Sequence, residues 1–239
     1  MDPVLVNIFG LEIRWYGLLM MLGFIFGYFI LLKIRGDVSK VKIEEYLLYM
    51  LVGIILGARL GEIILYEPLY YLSNPLKIFY VWEGGLASHG ALIGGILANY
   101  LFCKKNNYSF YKMADKAVIP IAFGAMFVRI GNFINAELWG RISNSVFSVN
   151  VNGEMRHPSQ LYEAFKNLLI FGILLFLNRI KRKEGYMFWM FIFLFGVFRF
   201  IVEFWKDWST YLGLTPGQWY SLPLILFGFY FLKKRVINR

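Results

Sequence analysis

ADKAVIPIAFGAMFVRIGNFINAELWGR, residues 114–141, begins as an apolar run and leaves it as a polar one. The second half, RIGNFINAELWGR (129–141), carries two arginines, two asparagines and a glutamate, with glycines at Gly131 and Gly140. A guanidinium at the edge of so apolar a segment is costly unless something engages it. Arg129 is therefore read as the holder of a lipid phosphate, with most other polar intramembrane residues converging on the same place.

Runs like its first half recur at roughly 15–34, 46–66, 88–103, 161–178, 186–205 and 218–233, so that with 114–131 there are seven. Each approaches the ~20 residues needed to cross a bilayer. The chain is 59% apolar, 20% aromatic and only 17% charged, with a mean hydropathy of +0.56, whereas a soluble domain carries about a quarter charged residues. The expected fold is an all-α integral membrane protein of about seven transmembrane helices, one polytopic domain over 1–239, with 132–160 as its longest outer segment, large enough for a small head that the family resemblance given below makes periplasmic. The first run has neither a basic n-region nor a small-residue cleavage site, so no removable signal peptide is expected. The single cysteine, Cys103, excludes an internal disulfide and any multi-cysteine metal site, and its place at the inner end of the third run reads as inert.

The net charge of +10 would point to nucleic acid in a soluble chain, but here the basic residues sit between apolar runs. Lys33, Arg35, Lys40 and Lys42; Lys104, Lys105, Lys112 and Lys116; Arg179, Lys181, Arg182 and Lys183; and Lys233, Lys234, Arg235 and Arg239 follow alternate runs. These are sixteen of the 25 basic residues, against six (Arg14, Lys77, Arg141, Arg156, Lys166, Lys206) in the other set of segments. The positive-inside rule then puts the N-terminus outside and the C-terminus inside. Only Arg59, Arg129 and Arg199 remain within runs.

Arg129 and Asn132, three apart, share a helix face if the helix reaches that far. An arginine fork matches phosphate oxygens bidentately; the competing reading is an arginine that snorkels to the head-group level. The succession Asn132, Asn135, Glu137 favours the phosphate. Arg199 and Glu203 stand at i and i+4, where a structural ion pair and ligand binding are equally compatible. Arg59 and Glu62, at i and i+3, favour a structural pair. Of the two histidines, His157 in RHPSQLYE reads as a loop-orienting residue, and His89 in GGLASHGALIGG stands between orienting a loop and taking a proton. Tyr16 in RWYG fits an aromatic belt. Gln160, Tyr162 and Glu163 open the fifth run and Gln218 the seventh, where a carboxamide caps a helix or meets a ligand.

Residues 67–87 are aromatic-rich and amphipathic, in the manner of an interfacial or re-entrant piece. Within 132–160, SVFSVNVNGEMRHP alternates like a strand and contains an Asn152-Gly153 turn signal. No internal repeat is found. There is no HExxH, no two-carboxylate metal motif and no nucleotide loop. Ser88 lacks the GxSxG context, because Leu86 stands two residues before it.

RWYG (14–17), EGGLASHGALIGG (83–95), RIGNFINAELWGR (129–141), RHPSQLYEA (156–164), FRFIVEFW (198–205) and GQW (217–219) occur in an order and topology that resemble the bacterial phosphatidylglycerol–prolipoprotein diacylglyceryl transferase family over essentially the whole chain. The resemblance implies a multi-pass inner-membrane enzyme with its site toward the periplasm. Such an enzyme moves the diacylglyceryl group of phosphatidylglycerol to the lipobox cysteine of a preprolipoprotein signal peptide, making a thioether and releasing glycerol phosphate, with no metal, cofactor or nucleic acid. Carried over by motif, Arg129 and Arg199 grip the phosphate; Asn132, Asn135, Glu137, Gly140 and Glu203 shape the substrate site; Tyr16 matches a family tyrosine; and His89 stands at the family histidine proposed as base. Lys206 departs from the pattern, because some relatives have an arginine there, and it is left outside the catalytic set. A transporter or exchanger of anionic lipid or small anions is the competing function, since the same arginines could line a passage.

Overall fold

The computed structural model describes residues 3–8 and 11–237; Arg239 of the last basic cluster lies outside them. The described chain is mostly helical. Its elements are β1 (Val4–Ile8), β2 (Leu11–Arg14), α1 (Trp15–Ile34), α2 (Lys40–Gly61), α3 (Pro68–Ser73), α4 (Ser88–Asn106), α5 (Phe110–Ile134), β3 (Val149–Val151), β4 (Glu154–Arg156), α6 (Ser159–Leu177), α7 (Tyr186–Val202) and α8 (Pro216–Ile237). Among the described residues, five helical stretches are long and apolar enough to cross a membrane: Trp15–Ile34, Lys40–Tyr66, Phe110–Ile134, Ser159–Leu177 and Tyr186–Trp205. Helices α4 and α8 occupy the other two apolar runs.

Helix ends follow local chemistry. The Ser39 hydroxyl accepts from Lys42 N at the start of α2, an N-cap that satisfies one of the orphan donors of a first turn. Thr215 and Gln218 form a reciprocal capping box at the start of α8: Thr215 N donates to Gln218 Oε1 (3.0 Å) and Gln218 N to Thr215 Oγ1 (3.2 Å). The start of α7 is capped from another helix, with Asp115 accepting from Gly185 N (2.6 Å) and Phe188 N (2.8 Å).

The chain forms two compact units: residues up to Ile34 with Asp115 onward, and Arg35–Ala114. In the first, a core of Val118, Ile119, Ala122, Ile170, Leu174, Tyr186, Met187 and Leu232 ties α5 to α6, α7 and α8. Trp189 stacks on Phe231, with ring centroids 4.2 Å apart. The hairpin expected in the head segment forms as β3 and β4, antiparallel, turning at Asn152 (φ 52°) and Gly153 (φ 92°) as a two-residue turn of that hand requires. Antiparallel β1 and β2 make a second hairpin, which the apolar pattern did not foretell.

In the second unit α2 lies against α4 along glycines. A Cβ on Gly57 or Gly90 would strike the other's carbonyl oxygen, and one on Gly61 would sit 2.8 Å from the Gly90 Cα. This backbone-to-backbone approach supplies van der Waals contact where lipid removes the hydrophobic drive. A buried pair, Tyr46 hydroxyl to Asn99 Oδ1 at 2.9 Å, fixes the end of the seam nearest the start of α2.

Arg59 corrects an expectation. Its partners are main-chain carbonyls rather than Glu62. Nε donates to Ile78 O (2.9 Å), Nη1 to Gly84 O (2.6 Å) and Gly85 O (3.0 Å), and Nη2 to Lys77 O and Tyr80 O, with the Tyr71 ring 4.9 Å from the guanidinium carbon. All five donors of the fork are engaged, and among the described residues no ion pair joins Arg59 to Glu62. Residues 67–87, folded as α3 and short 3-10 turns, are thereby bound to α2. Leu69, Leu72, Leu76, Phe79 and Trp82 of that segment are exposed.

Candidate active site

The site is built in the first unit around a glutamate. Glu163 stands in the second turn of α6 with its side chain 1% exposed, and its carboxylate gathers four cations. Oε1 meets Arg199 Nη1 at 2.5 Å and Lys206 Nζ at 2.9 Å; Oε2 meets Lys166 Nζ at 2.5 Å and Arg129 Nε at 3.9 Å. Arg199 Nη2 reaches Glu203 Oε2 at 3.2 Å, so the expected i, i+4 pair forms. Gly217 leaves the room Glu203 needs, since a Cβ there would overlap that carboxylate.

The RIGNFINAELWGR stretch supplies the other wall. Helix α5 reaches Ile134, so Arg129 and Asn132 do share a face, and Arg129 Nη1 donates to Asn132 Oδ1 at 3.3 Å. Glu137 Oε1 accepts from Asn132 Nδ2 (3.2 Å) and Asn135 Nδ2 (3.0 Å). Ala136 and Leu138, on either side of Glu137, hold left-handed φ of 56° and 61°, a conformation that costs a non-glycine residue on the order of 1 kcal/mol. The turn is pinned from α6, where Ser159 Oγ donates to Leu138 O (2.7 Å) and Gln160 Nε2 donates to Glu137 O.

Gly140 acts on Lys206. Its backbone bridges that of Lys206 and lies so close to Trp205 O and His157 that no side chain fits, while Arg141 N donates to Trp205 O at 3.0 Å. The lysine is thereby brought back to Glu163 after α7 has ended. Burial pulls its ammonium below the ordinary lysine range, and Glu163 opposes that pull. His157, expected to be a hydrogen-bonded loop residue, has its Nδ1 2.9 Å from the Tyr162 hydroxyl. Burial, reinforced by Arg141, holds its imidazole below the usual value. The Tyr16 ring packs on Gly131, where a Cβ would approach it to 2.6 Å.

Exposure divides the four cations. Lys166 and Lys206 side chains are 2% and 8% exposed, Arg129 and Arg199 28% and 23%. Two lysines are sealed behind the carboxylate and two guanidiniums are open in front of it. Four cations gather on Glu163 and Glu203, with Glu137 tied to Arg129 through Asn132, and the one positive charge left over favours an anion at the open face.

The model of the prolipoprotein diacylglyceryl transferase family matches residues 3–233. The chain belongs to that family. Similar proteins named phosphatidylglycerol–prolipoprotein diacylglyceryl transferase include one from Rickettsia bellii, 38% identical over 98% of this chain and 95% of its own length. Others are from Bordetella avium, 41% identical over 95% and 92%, and from Geobacter sulfurreducens, 40% identical over 95% and 92%.

Among the residues carried over from this diacylglyceryl transferase family, Arg129, Asn132, Asn135, Glu137, Arg199 and Glu203 form one connected network, with Gly140 and Tyr16 as its packing supports. His89 belongs to the other unit, in the first turn of α4, with its Nδ1 3.1 Å from the Tyr66 hydroxyl. Two members of the network were missed. In sequence Glu163 stands out only as a residue opening a span, and Lys166 groups with the segments between spans, although it lies inside α6. Their i, i+3 spacing in an apolar run was the available signal. Lys206, left outside the catalytic set, is part of the network.

Proposed function

We propose that this protein transfers the diacylglyceryl group of phosphatidylglycerol to the lipobox cysteine of a preprolipoprotein, as its family membership and its cationic site suggest. The carrying observation is the pair of open guanidiniums held over Glu163, with no nucleotide or metal motif in the chain. In the reaction a sulfur–carbon bond forms at the glycerol carbon and the carbon–oxygen bond to phosphate breaks. The thiol proton passes to a base, and the electron pair leaves with glycerol phosphate. The phosphodiester starts with one negative charge and departs as a monoester with more, so Arg129 and Arg199 bind the transition state more tightly than the ground state. Asn132, Asn135, Glu137, Gly140, Glu203 and Tyr16 shape the binding site. Asn135 Oδ1 has no hydrogen-bond partner among the described residues, which suits an acceptor for a head-group hydroxyl. His89 serves as base in this reading: when Nδ1–H donates to Tyr66, Nε2 is left to accept the thiol proton.

In the same reading seven helices cross the bacterial inner membrane, forming one polytopic domain with the N-terminus out and the C-terminus in. Residues 132–160 form a periplasmic head over the site, and 67–87 lie in the outer interface. Purified protein given phosphatidylglycerol and a lipobox peptide is expected to release glycerol phosphate and a lipidated peptide. No release across several detergents and lipid mixtures, with lipid or anion movement across sealed vesicles instead, would replace the transferase with a transporter.

A further inference from the structure

Lys166 is a buried ammonium in a membrane helix that nothing in the proposed reaction uses. It touches Glu163 Oε2 at 2.5 Å and lies 4.3 Å from the centroid of the Phe195 ring. An ammonium sealed from solvent is expensive even when paired, and the Phe195 ring beside it would accept an apolar side chain at no such cost. The charge count gives it a purpose. Without Lys166, Arg129, Arg199 and Lys206 face Glu163 and Glu203 with a surplus of one positive charge. Glu137, tied through Asn132 to Arg129, offsets that last charge. With Lys166 the site as a whole keeps one net positive charge, the complement of a phosphodiester monoanion.

We infer that Lys166 is a positioning residue that sets the anion affinity of the site through Glu163, without touching the substrate. It holds Oε2 so that Glu163 keeps a fixed counter-charge when Arg129 and Arg199 turn to the phosphate. The inference rests on the transferase reading and deepens it. At a low-dielectric site one charge several ångströms away is worth more than a factor of ten in binding.

The test compares wild type with Lys166→Met, which keeps length and packs on Phe195, and Lys166→Gln, which keeps a donor toward Glu163. In mixed micelles the KM for phosphatidylglycerol and the inhibition constant of glycerol phosphate are expected to rise together by at least ~10-fold in both variants, and kcat to fall as well, because the departing phosphate carries more charge than the bound diester. A wild-type KM and inhibition constant in Lys166→Met means the residue only fills space. Wild-type values in Lys166→Gln mean that the hydrogen bond, not the charge, matters. Either outcome overturns the inference. If Lys166→Met does not purify folded, Lys166→Gln alone decides it. A wild-type protein that releases no glycerol phosphate defeats the transferase reading itself, whereas turnover with unmoved constants in the variants defeats only the role of Lys166.

Discussion

Arg129 and Cys103 make opposite demands at the scale of single residues. Arg129 has an open guanidinium whose fixed contacts are one amide oxygen and a long approach to Glu163, and its remaining donors suit a phosphate. Arg129→Ala is expected to lower glycerol phosphate release by about a hundredfold or more, the usual cost of deleting one preorganised donor from a transition-state site. Cys103 is buried in the other unit, with its Sγ 3.5 Å from Ser109 O, so Cys103→Ala should leave turnover unchanged. Residue-level legibility was uneven for a physical reason. Arg129, Asn132 and Glu203 are legible because their partners lie within four positions, which a helix repeat exposes. The Glu163 contacts to Arg199 and Lys206 join α6 to residues 36 and 43 positions away, and no periodicity carries that information. Arg59 shows the converse, since its spacing to Glu62 invited a pair that five carbonyl oxygens pre-empt.

Among the elements, the α2–α4 seam and the β3–β4 hairpin carry the sharpest expectations. Gly57→Ala must push a methyl into the Gly90 carbonyl and should cost about 1–3 kcal/mol of stability, read as a lowered thermal midpoint in detergent. Gly172→Ala, where nothing lies within 4 Å, is the control and should not lower it. The hairpin is anchored to α6 through His157. The imidazole has a depressed pKa in the fold, so its neutral form is the one the structure favours. Its contribution is intact above the unfolded value of ~6.5 and is lost as pH falls through the folded value. Thermal midpoints measured from pH 7.5 to 5 should therefore decline on the acid side, and the decline should shrink in His157→Gln. The head hairpin was legible from Asn152-Gly153 and strand alternation. The β1–β2 hairpin was not, because its residues merge with the first apolar run.

For the molecule as a whole, the asymmetry of basic residues makes a claim about sides. In a Cys103→Ala background, Ser145→Cys in the head segment should react with a membrane-impermeant thiol reagent applied from outside, and Lys181→Cys should react only after permeabilisation; the reverse pattern would invert the topology. Apolar run length made the helices legible, and it could not foresee that the described chain groups into two units, because that grouping arises from which helices touch. A last consequence concerns how the chain enters the bilayer. Helix α6 buries Ser159, Gln160, Glu163, Lys166 and Asn167, and a charged residue near the centre of a nascent span adds roughly 2.5–3.5 kcal/mol to insertion. Presented alone to the insertion machinery, this segment is a poor client. Its stable residence in lipid depends on Arg129 having arrived before it and on Arg199 and Lys206 following, so the ion network around Glu163 makes the biogenesis of α6 conditional on its neighbours.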